Sequence, residues 1–240
     1  MGKPLIRRGI NPGALGVPWW RRGPLITEDA NCVAHVIWRN GSLIDLKGNS
    51  WTMAGTVPQV PESGSVPPGA GPFSIANYYK LGTGVDVLDF AGGTFSLVVI
   101  GKMSADPSTV IAGNTDVATA GWNLQTATAN TFSFRQFGPA VQVTSGNTAP
   151  TGSLFVGCGG RDNGGSLAYV KLNSGTTVTG ASASYTSPSA VEANIGTWSA
   201  HSFAWVNGIA YELYATTTAP SDALFSGIVA QVAARVRRAL

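Results

Sequence analysis

The chain has 240 residues, which suits one large all-β domain and is long enough to bury a core without disulfide support. Charged residues make up only 11% of it, well below the usual quarter, so we expect a partner to cover part of the surface. The net charge of +3 comes from basic residues at the two ends, which argues against the basic domain face of a nucleic-acid-binding protein.

Residues 1–30 are predicted to form an extended N-terminal arm. Proline and glycine recur through NPGALGVPWWRRGPLI (residues 11–26), a pattern that excludes a helix or a central strand. Tryptophan and arginine are the residue types most often found at interface hot spots. We therefore predict that a partner is bound by Arg7, Arg8, Trp19, Trp20, Arg21 and Arg22. The alternative is that the arm folds back over its own domain.

Residues 31–220 alternate short β-prone runs with Gly, Asn and Asp turns, which predicts an antiparallel β-sandwich. In chain order the predicted strands are CVAHVIW, SWTMAGTV, FSIANYYKL and TFSLVVIGKM. Further β runs, broken by Gly, Asn or Asp, are STVIAGNT, GWNLQTATANTFSFRQFG, AVQVTS, SLFVGCGGRDNGGSLAYVKLNSGTTVTG and FAWVNGIAYELYAT. TFSLVVIGKM is apolar throughout and is predicted to be a central strand. The stretches PESGSVPPGAGP (residues 61–72) and GTGVDVLDFAGG (residues 82–93) are predicted loops, while RDNGGS (residues 161–166) and KLNSGTTV are predicted hairpin turns.

Residues 221–240 are predicted to form an amphipathic C-terminal helix. Its apolar stripe, at intervals of four residues, comprises Leu224, Ile228, Val232, Val236 and Leu240. Ser221 or Asp222 can cap the N-terminus, and arginines in the last turns suit the helix dipole. The stripe must lie on either the body of the protein or a neighbouring molecule.

From about residue 40 to residue 232 the order of motifs resembles the concanavalin A-like or laminin-G-like jelly roll, in the form common in bacteriophage structural proteins. SLIDLKGNSWTMAGT resembles the opening strand of that family, with a turn at Asp45, Gly48 and Asn49. The stretches FSIANYYKLGTGVDVLDFAGGTFSLVVIGKM, GWNLQTATANTFSFRQFG and GIAYELYATTTAPSDALFSGIVAQV resemble its later strands and closing helix. The resemblance implies an antiparallel jelly-roll fold, which hosts lectins, glycosidases, adhesive modules and capsid decoration proteins.

Groups for catalysis are sparse, so we do not expect an enzyme. The four glutamates form no paired pattern of the kind that glycosidases use, and no nucleophile-elbow motif accompanies His35 or His201. Asp86 and Asp89 are interpreted as turn residues. Calcium would need loop oxygens such as those of Asp106, Asp116 and Asp162, but each has an equally good turn role.

We therefore predict no cofactor and no metal ion. Cys32 and Cys158 are interpreted as buried free thiols. Trp51, Trp122, Trp198 and Trp205 could stack on sugars but are favoured as core residues.

The function predicted from these features is that of a bacteriophage virion structural protein, most specifically a capsid decoration protein whose arm binds adjacent coat subunits. Its expected partners are the major capsid protein or other virion proteins and further copies of itself, with a trimer as one arrangement. No apolar run is long enough to span a bilayer and no secretory signal is present, so a membrane is not expected as a partner. Nucleic acid is not expected because the basic residues lie at the ends of the chain, and the resemblance implies location in the virion. The alternative is a carbohydrate-binding module of a tail fibre or receptor-binding protein.

Overall fold

The computed structural model describes residues 23–64, 66–82, 86–103, 109–115, 120–126, 130–138, 140–182, 184–188, 192–198, 204–206, 208–236 and 240. The six arm residues predicted to bind a partner lie outside this range, as do Asp106, Asp116 and His201. The predictions made for those residues therefore stay predictions.

The described residues form a sandwich of two antiparallel sheets and one helix, as predicted. The elements in chain order are β1 (Cys32–Arg39), β2 (Ser42–Asp45), β3 (Trp51–Ala54), β4 (Gln59–Val60), β5 (Gly69–Ala70), β6 (Tyr78–Leu81), β7 (Phe95–Lys102), β8 (Val110–Thr115), β9 (Gly121–Thr126), β10 (Thr131–Gln136), β11 (Val141–Thr148), β12 (Leu154–Asp162), β13 (Leu167–Leu172), β14 (Val178–Ala181), β15 (Ala193–Ile195), β16 (Ile209–Thr216) and α1 (Asp222–Val236), with a 3-10 turn at Asp86–Leu88 before β7.

One sheet has nine strands and the other has seven. The nine-stranded sheet runs β14-β13-β12-β7-β16-β1-β2, with β5 pairing to β16 and β4 pairing to β5. The seven-stranded sheet runs β11-β10-β9-β8-β15-β6-β3. Strand β7 lies in the middle of its sheet, as its continuous apolar sequence predicts, because both of its faces are covered.

Alternate residues of β7 serve two separate cores. Leu97 and Val99 face the seven-stranded sheet and belong to the main core between the sheets. Val98 and Ile100 face the other way, into a second core beneath α1. This period of two is what strand geometry requires of a sheet that is buried on both faces.

Glycines of β12 make room for aromatic rings of the opposite sheet. A Cβ added at Gly157 would lie 2.4 Å from the Phe132 ring, and one added at Gly159 would lie 2.8 Å from Leu124. The run VGCGG therefore keeps the sheets close enough for the Phe132 ring to pack on the backbone of β12.

Helix α1 packs on the outer face of the nine-stranded sheet. Its predicted stripe is buried at Ile228, Val232 and Val236, and Phe225 is fully buried beside it. The Ser221 hydroxyl accepts a hydrogen bond from the Leu224 amide at 3.1 Å, which confirms the predicted cap. The prediction left the body or a neighbour as the surface beneath the stripe, and the described contacts are with the body. Among the described residues there is no helix whose length and apolar character would let it cross a membrane.

Several local predictions differ from the structure, and the predicted strand SWTMAGTV, for example, is strand only at β3. The predicted strand FSIANYYKL is strand only at β6, because the Ser74 hydroxyl accepts hydrogen bonds from the amides of Ala76 and Asn77 and closes a turn. The predicted loop at residues 61–72 contains the short strand β5, which pairs with β16 through Ala70 and Ala210. Both hairpin predictions are confirmed, since β12 pairs with β13 and β13 with β14.

Candidate functional site

A cavity of about 310 Å³ opens between the β1–β2 turn and the β4–β5 hairpin. We call it the Trp38 pocket, lined by Trp38, Asn40, Gly41, Gln59, Val60, Pro61, Glu62, Pro68 and Gly69. Its volume is at the lower end of the ~300–1,000 Å³ typical of small-ligand sites, so it suits one small ring rather than a large cofactor. The prolines give it stiff apolar walls, and Glu62 is the single carboxylate among the described lining residues.

Two lining residues of the Trp38 pocket carry a shielded polar atom that has no hydrogen-bond partner in the described part of the chain. These atoms are the indole Nε1 of Trp38 and the amide Oε1 of Gln59. The Gln59 Nε2 donates to the Tyr79 hydroxyl at 2.7 Å and to the Val57 carbonyl at 3.1 Å, which fixes the orientation of the amide. An unpaired buried donor or acceptor costs about 1–3 kcal/mol, so this pair is a specific reason to expect a ligand.

A second cavity of about 240 Å³ shares Val60 and Pro61 with the Trp38 pocket. Its other wall includes Lys102, Ser153 and Tyr211. The two cavities therefore flank a single stretch of backbone.

The outer face of the seven-stranded sheet carries another polar surface. Four residues lie side by side on neighbouring strands of this sheet, in the order Asn194 of β15, Gly113 of β8, Asn123 of β9 and Arg135 of β10. The side-chain amides of Asn123 and Asn194 are fully shielded and have no hydrogen-bond partner among the described residues. Trp198 lies over Gly113, since a Cβ added there would be 3.5 Å from the Trp198 Cβ. The unpaired atoms of Trp38 and Gln59 are shielded as well, and Trp38 belongs to the main core, but both residues line an open cavity. The Trp38 pocket is therefore the better candidate site.

The tryptophans singled out from the sequence have other positions. Trp122 and Trp205 lie in the main core, as favoured, and the Trp122 indole donates to the Leu88 carbonyl at 2.9 Å. Trp51 is half-buried and donates to the Asp45 carboxylate at 2.9 Å. Trp38, the tryptophan of the candidate site, was missed because CVAHVIW indicates only a buried strand.

Asp45 holds the turn that the resemblance predicts. Its carboxylate accepts hydrogen bonds from the backbone amides of His35 and Lys47 and from the Asn49 side chain. Gly48 follows with φ of +84°, a left-handed conformation that favours glycine. The predicted turn at residues 45–49 is confirmed, and it fastens β2 to β1.

A cluster of ionisable groups lies on the outer face of the nine-stranded sheet, and we call Glu28, Cys32, His35 and Glu212 the His35 cluster. His35 Nε2 lies 2.8 Å from Glu212, and His35 Nδ1 lies 3.0 Å from Glu28. Burial lowers the pKa of His35, but hydrogen bonds to Glu212 and Glu28 and the charges of both outweigh it and hold that pKa above its usual range. Burial raises the pKa of the Cys32 thiol to about 12.

Glu212 also holds the end of the predicted arm. Its two carboxylate oxygens accept hydrogen bonds from the backbone amides of Leu25 and Ile26, each at 2.8 Å. Both of these side chains are buried in the second core, with α1. Within the predicted arm, residues 25–29 therefore contact the chain's own outer sheet face and α1.

The other acidic and thiol residues have structural positions. Asp162 accepts hydrogen bonds from the amides of Gly164 and Gly165, which is the predicted turn role. Asp89 accepts from the Asn114 side chain at 2.7 Å. Cys32 and Cys158 are both buried and free, and burial raises the pKa of each thiol.

No protein-family model matches this chain, and no curated protein sequence matches it either. Its fold is similar to that of domain 4 of AbnA, a GH43 extracellular arabinanase from Geobacillus stearothermophilus, in complex with arabinotriose. The TM-score is 0.67 at 16% identity, over 84% of this chain and 100% of that one.

The fold is also similar to that of botulinum neurotoxin binding domains. The DC domain in complex with rat synaptotagmin II matches with a TM-score of 0.64 at 11% identity, over 84% of this chain and 52% of that one. The serotype G domain matches with a TM-score of 0.63 at 11% identity, over 83% and 50%. This chain thus spans about half the length of those domains.

These likenesses confirm the jelly-roll β-sandwich and place the fold among those of binding domains. At such low identity they establish the fold alone. Neither neighbour is a virion protein, so the bacteriophage part of the resemblance stays a prediction.

Proposed function

We propose that this protein is a carbohydrate-binding jelly-roll module whose Trp38 pocket holds one sugar unit of a neutral oligosaccharide. The observation that carries the proposal is the unpaired Trp38 N–H and Gln59 oxygen on the wall of one open cavity. Both atoms are shielded in the structure, so the proposed binding includes a shift of the two side chains toward the cavity. A sugar hydroxyl is both acceptor and donor, so hydroxyls of a single ring can then satisfy both atoms.

Three further features support an uncharged oligosaccharide. The pocket wall is mostly apolar and its described lining has a single carboxylate, whereas glycoside cleavage normally uses two, so we propose binding without catalysis. The neighbouring cavity beyond Pro61 provides room for a second unit. The likeness in fold to a domain that is in complex with arabinotriose is in keeping with this ligand class.

Glycan-array screening followed by calorimetry of the best oligosaccharide tests the proposal. Trp38→Phe keeps an aromatic ring but removes the N–H, and we expect it to weaken binding about tenfold, the equivalent of one well-placed hydrogen bond. Trp122→Phe is the matched control, since it makes the same chemical change in the core, where the indole donates to Leu88. A folded Trp38→Phe protein that binds as tightly as the Trp122→Phe control contradicts the proposal.

Virion decoration remains the second candidate function, favoured by the low charge of the chain and its basic N-terminal residues. Deletion of residues 2–22 tests it, because this deletion leaves Leu25 and Ile26 in the second core. We expect the shortened protein to stay folded and to lose binding to phage capsids. Full occupancy of capsids by the shortened protein would contradict this candidate and leave the carbohydrate proposal untouched.

A further inference from the structure

Glu28, Cys32 and His35 bring three different metal-ligand atoms together on the outer face of the nine-stranded sheet. A carboxylate oxygen, the thiol sulfur and an imidazole nitrogen all lie within 4.8 Å of one another. His35 is fully buried and Cys32 is 6% exposed, whereas the Glu28 side chain is 31% exposed and pairs with both His35 and Lys47. Packing thus holds two of the three ligands in place.

Glu212 orients the imidazole for metal binding. When His35 Nε2–H donates to the Glu212 carboxylate at 2.8 Å, Nδ1 is left facing Glu28. A carboxylate that accepts from the far nitrogen of a ligating histidine is the usual outer partner of such a ligand. Glu212 is itself fixed by the amides of Leu25 and Ile26, and the Tyr214 ring meets the imidazole edge-on at 5.4 Å.

An open groove reaches Glu28, the most exposed of the three ligands. The groove has a volume of about 350 Å³, and its walls are residues 27–29 on one side and Tyr214 with α1 on the other. Glu28 lies on the wall of this groove, whereas Cys32 and His35 are buried behind it, so an ion would reach them from the groove by way of Glu28.

We propose that Glu28, Cys32 and His35 form a zinc site with one coordination position open to this groove. Thiolate, imidazole and carboxylate are the ligands zinc prefers, and a thiolate disfavours magnesium and calcium. Zinc bonds of ~2.0–2.3 Å place tetrahedral ligands ~3.3–3.7 Å apart, so side-chain shifts of about 1 Å suffice. The ion takes the place of the hydrogen bond between His35 and Glu28 and binds both side chains. Because Cys32 and His35 lie on β1, it links Glu28 to that strand.

Zinc binding releases protons from these groups. The Zn–S bond forms as the Cys32 thiol proton passes to solvent. The proton that His35 Nδ1 shares with Glu28 in the metal-free state also passes to solvent, and Nδ1 then coordinates the ion. The affinity therefore falls as pH is lowered, because protons then compete with the ion for the same atoms.

Cobalt titration of the chelator-treated full-length chain, without a histidine tag, tests the proposal. A thiolate bound to cobalt gives a near-ultraviolet charge-transfer band, and zinc should abolish the band by displacement. Cys32→Ser should remove it, whereas Cys158→Ser, the matched control at the other thiol of the same core, should keep it. Glu28→Gln changes a partly exposed residue and should weaken cobalt binding at least about tenfold.

Two results would overturn the zinc site. One is the absence of the band in the wild-type chain at millimolar cobalt. The other is a band of equal strength in wild type and in Glu28→Gln, a variant that does not depend on the fold tolerating a change at Cys32. Neither result bears on the Trp38 pocket, which shares no residue with this site.

Discussion

Replacing Glu212 with glutamine should release the end of the arm from the sheet. The carboxylate accepts three hydrogen bonds at 2.8 Å, from the amides of Leu25 and Ile26 and from His35. Glutamine keeps one acceptor oxygen, but its NH2 group then faces a donor, and the negative charge beside His35 is lost. Breaking a buried charged pair costs about 3–5 kcal/mol, and we expect the free energy of unfolding to fall by about that amount.

Urea unfolding at pH 7 with a chelator present measures this effect. Glu192→Gln is the matched control, since Glu192 is 15% exposed and pairs with Lys80 at 3.2 Å, and it should cost no more than about 1 kcal/mol. Hydrogen exchange should also speed up at the amides of Leu25 and Ile26. If Glu212→Gln costs no more than the control, the proposed role of Glu212 in holding residues 25 and 26 is wrong.

The remaining predictions concern packing and pH. Gly157→Ala should lower the free energy of unfolding by about 1–3 kcal/mol, because the added Cβ would overlap the Phe132 ring. Gly146→Ala is the control and should be near neutral, because open space surrounds Gly146. Equal losses of unfolding free energy for the two variants in urea would contradict this packing. Hydrogen bonds from Thr177 and from Lys171, and the Lys171 charge, hold the pKa of Asp222 below its usual value of 3.8. That carboxylate therefore stabilises the fold at neutral pH and loses its effect as pH falls through the lowered pKa. The Asp222→Asn protein should therefore be less stable than wild type at pH 7 and as stable as wild type in strong acid. If the two proteins differ in thermal unfolding midpoint by the same amount at every pH, the stabilising role of the Asp222 carboxylate is wrong.

Much of the fold could be predicted because local sequence agrees with tertiary structure. The continuous apolar run of β7, the stripe of α1 with its Ser221 cap and the turn glycine Gly48 each carry a signal within a few residues. The prediction for residues 73–81 was too long because the side-chain hydrogen bonds of Ser74 compete with the strand ladder.

The candidate sites could not be predicted because each is assembled from distant segments. The Trp38 pocket joins the β1–β2 turn to the β4–β5 hairpin, and nothing near Gln59 in sequence marks its oxygen as unpaired. The His35 cluster needs Glu212 from β16, which lies 177 residues from His35. The one local signal for the proposed zinc site is that Cys32 and His35 are three residues apart, and we did not consider this pair from the sequence and predicted no metal ion.

Heteronuclear NMR of the indole N–H groups during oligosaccharide titration tests the central claim most directly. The account predicts that the Trp38 indole resonance shifts in proportion to saturation, because its unpaired N–H gains a sugar oxygen as acceptor. The Trp122 indole resonance should stay in place, because its N–H already donates to Leu88. A Trp38 resonance that does not move at saturating oligosaccharide would contradict the account.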